Sequence, residues 1–114
     1  MNNYATKYLG QTVTLMIDRP IGTKHPKHSY FYELNYGYVP GTVAPDGEGV
    51  DAYIIGINYL LEIYVGQCVA VIHRTNDDDD KLIVVPPDYH EISNEEIYQA
   101  VNFQEQWFKS IILR

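Results

Sequence analysis

The sequence holds a single cysteine, Cys68, among 114 residues, so no internal disulfide can form and a reducing compartment is expected. No apolar run approaches the ~18 residues of a membrane span. The opening stretch MNNYATKYLGQ lacks the apolar segment of a secretory signal. A cytoplasmic location with no membrane partner is therefore expected. Basic residues are few: 8 against 15 acidic ones, for a formal charge of −7. Phosphate-backbone binding needs clustered Lys and Arg, so nucleic acid is not an expected partner. A negative field favours cations, or anions carried in by cations. No repeat and no linker divides the chain, and one domain over residues 1–114 is expected. Size scaling gives a folded surface of ~6,400 Å² against ~19,000 Å² for the open chain, enough burial for a core.

What is present is mostly β pattern. Thr12 to Ile17, T-V-T-L-M-I, reads as a first strand ended by Asp18-Arg19-Pro20. Residues 21–29 read as a basic loop. Tyr30 to Pro40 reads as extended, broken at Asn35 and Gly37, and Pro45 to Gly49 as a turn. Further strands are expected over Ala52 to Ile57, Gln67 to His73 and Lys81 to Val85, the last two joined by a polar connection. Ser93-Asn94-Glu95-Glu96 is a capping box opening a helix. Its apolar face is expected to run through Ile97, Val101, Phe108 and Ile112, widened by Ala100, Phe103, Trp107 and Ile111. The expected fold is mainly β (α+β): a small closed, OB-like barrel of about five strands with one C-terminal helix packed on it.

The chemistry concentrates in Tyr32 to Asp51, YELNYGYVPGTVAPDGEGVD. Asp46, Glu48 and Asp51 surround a glycine-rich turn. Asp46 and Glu48 are two apart, so in extended chain they share a face. Three carboxylates converging at ~5 Å would cost about 3 kcal/mol per ionised pair, which calls for a bound cation or raised pKa values. Oxygen ligands suit Mg²⁺, Mn²⁺ or Ca²⁺. The bland alternative is a solvated turn with its acids splayed apart.

The letters themselves go further. Y-x-x-N-Y-G-Y-x-x-x-T-x-x-x-D-G-x-x-x-D resembles the signature of the family I soluble inorganic pyrophosphatases, with Tyr32, Asn35, Tyr36, Gly37, Tyr38, Thr42, Asp46, Gly47 and Asp51 in place. The resemblance implies a small barrel that hydrolyses pyrophosphate to two phosphates with Mg²⁺, or another divalent ion such as Mn²⁺. It implies metal ligation by Asp46, Glu48 and Asp51, with Asp51 serving the metal pair that activates water. Tyr32 and Tyr36 would lie in the substrate pocket. More weakly, Asp18 resembles an early acidic position, Lys27 a phosphate-binding lysine, and Asp79 with Lys81 a later acid and lysine pair. A further metal aspartate falls on Asn76 or Asp77. A homo-oligomer is implied only weakly.

The departures are specific. Glu48 and Gly49 stand where the family usually has Asp and Pro, and Trp107 replaces a tyrosine. A hairpin before Tyr32 is lost, and a phosphate-binding arginine with it. The chain is more closely similar to a group of short bacterial proteins sharing D-R-P-x-G-x-x-H-P-x-H, D-G-E, I-H-R and F-Q-E-x-x-F. Arg74 could replace the missing arginine as a phosphate clamp. His25, His28 and His73 could be polar loop residues, phosphate contacts or ligands of a softer metal. Three other readings stay open: a degenerate relative that binds a metal–phosphate ligand with little turnover, a hydrolase of another small phosphoanhydride, and a barrel module for single strands or protein.

Overall fold

Alternation sets the first strand. Val13 and Leu15 are buried while Thr12, Thr14 and Met16 are exposed, the period of two that puts successive side chains on opposite faces. The computed structural model describes residues 3–114. Its elements are β1 (Thr12–Arg19), β2 (Asn35–Val39), β3 (Val50–Ile54), β4 (Ile63–Arg74), β5 (Lys81–Val85), α1 (Asn94–Glu105) and β6 (Ser110–Leu113). The order β1-β2-β3-β5-β4 returns to β1 through the β1–β4 pairing and closes a five-strand barrel. All pairs are antiparallel except β3 with β5. Closure leaves these strands few bare edges. The expected barrel with one helix is the observed fold.

Three local differences from the sequence reading have physical reasons. The first concerns Gly37, which does not break the extended segment but lies within β2. A Cβ there would stand 2.0 Å from the carbonyl oxygen of Met16, so the glycine marks the close approach of β1. Asn35, fully buried at the start of β2, instead ties two loops: its Oδ1 accepts from the Ile21 amide and its Nδ2 donates to the Tyr59 carbonyl.

The second difference is in β4, which runs well beyond Gln67–His73. Its first half pairs with β1 and its second half with β6, along one edge. The third is in the helix. The capping box is present, Ser93 Oγ accepting from the Glu96 amide at 3.1 Å, but α1 ends at Glu105. Phe108, Ile111 and Ile112 therefore do not continue its face. Ser110–Leu113 instead pairs with Val71 to Arg74, where β1 has ended and backbone groups of β4 need partners.

The two faces of the curled sheet carry separate cores. One joins Val13 and Leu15 to Ala52, Ile54, Cys68, Val71, Leu82 and Val84. The other joins Tyr36, Tyr53, Ile72, Ile83 and Val85 to Ile97, Val101 and Phe103 of α1. The fully buried β5 supplies both, alternating. α1 is thereby fixed over the face that carries Tyr32, Tyr36 and Tyr53.

Candidate active site

Lys81 is the first residue of β5 and is only 2% exposed. The parallel register of β3 and β5 sets it opposite Asp51. Its Nζ donates to Asp51 Oδ2 at 2.9 Å, to Asp79 Oδ2 at 2.7 Å and to the Tyr36 hydroxyl at 2.6 Å. One buried ammonium thus organises two carboxylates and a phenol. Burial pushes the Asp51 carboxyl up to about 6 against the pull of Lys81, with Asp79 adding to the rise. At Asp79 burial also opposes ionisation, but the charge and hydrogen bond of Lys81, helped by Asp51 and Arg74, hold the carboxyl below its ordinary range. Burial and the nearby Asp51 keep the Tyr36 phenol well above its usual value.

Ligand atoms of Asp46, Asp51 and Asp79 lie within 4.8 Å of one another. At that spacing each ionised pair repels by about 3 kcal/mol. Asp79 Oδ1 is buried and has no hydrogen-bond partner among the described residues. A buried, unsatisfied carboxylate oxygen in a three-acid group fits a hard divalent cation. Glu48 stands outside this group. It is exposed, and its amide donates to Asp46 Oδ1 at 3.0 Å. The chain there is not extended, because Gly47 turns it with φ +87°, so the expectation of a shared face for Asp46 and Glu48 does not hold. The structure brings Asp79 to Asp46 and Asp51 in its place.

A cavity of about 330 Å³ adjoins these groups, lined among others by Tyr32, Tyr36, Arg74, Asp77, Asp79, Lys81 and Trp107. A larger hollow of about 600 Å³ lies against β1, lined by Lys7, Tyr8, Gln11 and their neighbours. It has no carboxylate in its wall, so the chemistry belongs to the smaller one.

Arg74 lines the cavity but is already engaged. Its Nε and Nη2 form a fork on Glu105, at 2.9 and 2.7 Å, and its guanidinium stacks 3.6 Å over the Phe108 ring. Nη1 reaches Asp77 at 3.4 Å and Asp79 at 3.6 Å. The three histidines do not converge. His73 Nδ1 sits 2.9 Å from Asp80 Oδ2. His25 and His28 lie side by side with their rings tilted at 43°, centres 4.6 Å apart. Burial and the neighbouring His28 hold His25 below the ordinary imidazole range. Lys27 and Asp18 are exposed, and neither lines the cavity.

Several structural partners escaped the sequence reading. Glu105, Gln104 and Tyr53 form a buried relay: Tyr53 donates to Glu105 Oε2 at 2.6 Å and accepts from Gln104 Nε2 at 2.6 Å. A signal existed, since Gln104 and Glu105 fall three and four residues after Val101, on the apolar stripe of α1. Asp80 was also missed. It accepts from the Arg74 amide and from Asn3 Nδ2, and its own amide donates to the Tyr4 hydroxyl at 2.7 Å. These bonds fix the loop that carries Asp79.

A family model described as inorganic pyrophosphatase matches residues 5–112. The inorganic pyrophosphatase of Pseudomonas aeruginosa is 33% identical over 68% of this chain and 43% of its own length. That of Rickettsia prowazekii is 27% identical over 98% of this chain and 66% of its own. The chain spans about half the length of the curated relatives it matches. The inorganic pyrophosphatase structure from Ehrlichia chaffeensis superposes with a TM-score of 0.68 at 17% identity, over 90% of this chain and 84% of that one. The structure from Thermus thermophilus gives 0.64 at 17% identity, over 99% and 84%. Fold, motif and family model agree, and the chain belongs to the inorganic pyrophosphatase family.

Proposed function

We propose that this protein hydrolyses inorganic pyrophosphate to two phosphates in a reaction that needs a divalent cation, Mg²⁺ first. The observation that carries the reading is the three-acid group with its unpartnered Asp79 oxygen, set beside a cavity holding Lys81 and Arg74. Asp46, Asp51 and Asp79 are the residues that would hold the cation. Such an ion supplies charge neutralisation at phosphate oxygens and makes water more acidic. The chain's own groups do the rest. Lys81 Nζ spends its three protons on Asp51, Asp79 and Tyr36, and attracts phosphate through its charge at the cavity wall. The Tyr36 hydroxyl, which accepts from Lys81 Nζ, keeps its own proton as a donor to phosphate. In this reading Asp51 takes a proton from the attacking water. Tyr32 forms part of the cavity wall. A cytoplasmic location accompanies this reading, supported by the free thiol of buried Cys68.

A second reading has one specific observation in its favour. Both buried cations are already paired, Arg74 with Glu105 and Lys81 with two aspartates. This suits a relative that binds a metal–phosphate ligand without turning it over. Phosphate release from pyrophosphate, with Mg²⁺, Mn²⁺, Co²⁺ or Zn²⁺ supplied in turn, separates the two. The hydrolase reading predicts turnover that depends on the ion and falls roughly 100-fold or more in Asp51→Asn. Saturable binding of pyrophosphate with no phosphate release would establish the second reading.

A further inference from the structure

The cavity lining combines two unlike sets of groups. Arg74, Asp79 and Lys81 are ionic. His28, Tyr30 and Trp107 form a set of near-parallel rings. Tyr30 and Trp107 lie 5.2 Å apart at 23°, His28 and Tyr30 5.8 Å apart at 11°, and His28 and Trp107 6.4 Å apart at 19°. Trp107 is the chain's one tryptophan, and it is held at the rim 60% exposed rather than packed in the core. Pyrophosphate has no apolar surface and gains nothing from such a wall. A flat heteroaromatic base does, because each base stacked on an aromatic ring tightens binding by about 10-fold or more.

The platform is also rigid. The Tyr30 hydroxyl donates to Gln104 Oε1 at 2.8 Å, and Gln104 is held in turn by Tyr53 in the buried relay. Stacking on a preorganised surface costs little ordering. The loop that carries His28 also carries exposed Lys24 and Lys27, positive charge beside the rim for an anionic ligand. At about 330 Å³ the cavity reaches the size of pockets that take small organic ligands, ~300–1,000 Å³.

We propose that nucleoside diphosphates, as their divalent-cation complexes, are substrates of this site, with the base stacked on Trp107 and the terminal phosphate directed to Lys81. The inference rests on the hydrolase reading above and names a further substrate class for it. In the reaction a water oxygen bonds to the terminal phosphorus. The bond from that phosphorus to the bridging oxygen breaks, and its electron pair leaves on the nucleoside monophosphate. One water proton stays on the released phosphate and the other passes to solvent.

The test uses the full chain with Mg²⁺ and compares adenosine diphosphate with pyrophosphate. Tryptophan emission comes from Trp107 alone, so it reports stacking directly. The expected results are a saturable change in that emission with adenosine diphosphate and phosphate release from it. Trp107→Ala should lower the ratio of kcat/KM for adenosine diphosphate over pyrophosphate by about 10-fold, and Trp107→Phe, which keeps a ring, should recover most of it. Turnover of pyrophosphate with no emission change and no phosphate from adenosine diphosphate would overturn the nucleotide inference alone. So would a ratio unchanged in Trp107→Ala. No phosphate from either substrate would remove the hydrolase reading beneath it.

Discussion

Lys81 is the residue on which the site turns. It is buried with two aspartates on its ammonium, and its removal strands both. Lys81→Met should cost about 3–5 kcal/mol at neutral pH, the usual penalty for leaving buried charge unpaired, readable as a lower urea midpoint. Asp51 gives the pH dependence. Its carboxyl is raised from 3.8 to about 6, so the folded state holds that proton more tightly than the unfolded chain. Without a cation, the stability linked to Asp51 is present at low pH and is lost as pH rises through about 6. Asp51→Asn should therefore gain stability over the wild type at pH 7 relative to pH 4. Divalent-ion affinity should run the other way, falling as pH drops below about 6 because protons compete for Asp51. Calorimetric titration with Mn²⁺ at pH 5 and pH 7 measures this. Weaker binding at pH 7 would contradict it. At this scale the sequence carried Asp46, Asp51 and Tyr36 as motif letters, which survive without geometry, and Asp79 with Lys81 only through a looser likeness. It could not place Glu48 outside the acid group, since Gly47 turns the chain between Asp46 and Glu48 and undoes the face that extended spacing assigns.

At the scale of elements, α1 does two jobs. Its capping box and apolar stripe pack it on the barrel, and those signals are local enough to read from sequence. Its last turn presents Glu105 to Arg74 across a long sequence separation, and that pairing is not local. Glu105→Ala should leave the guanidinium buried without its fork, lowering stability by about 3–5 kcal/mol in thermal or urea unfolding. A loss below about 1 kcal/mol would show that Asp77 and Asp79 suffice. The overrun of the expected helix into Phe108, Ile111 and Ile112 has the same root. Apolar letters on a helical period also suit a strand, and only the open edge of β4 decides between them. Lys81–Val85 was legible in full and β1 as far as Ile17, two residues short of its end at Arg19, because β-branched runs and turn residues mark them without help from distant partners.

For the whole molecule, the −7 charge fits the proposed function, in which an anionic substrate would reach an acidic protein as its cation complex. The folded surface, 6306 Å², matches the size scaling, as expected for an ordinary packed core. Cys68 reports on that core. It is fully buried and its thiol is pushed up to about 11 by burial, so alkylation at pH 8 should track global unfolding rather than proceed in the folded state. Rapid modification of native protein would contradict the closed barrel. The fold was readable from the order of strands and the motif. The aromatic rim was not, because Trp107, just beyond α1, meets His28 and Tyr30 only across a long sequence separation.

The proposed hydrolysis of pyrophosphate stands on Asp79 completing the cation site. The most direct measurement is Mg²⁺-dependent phosphate release from pyrophosphate by Asp79→Asn, alongside wild type and with folding checked by unfolding midpoint. A fall in kcat/KM of roughly 100-fold or more with the fold intact is expected. An Asp79→Asn protein as active as wild type would contradict it.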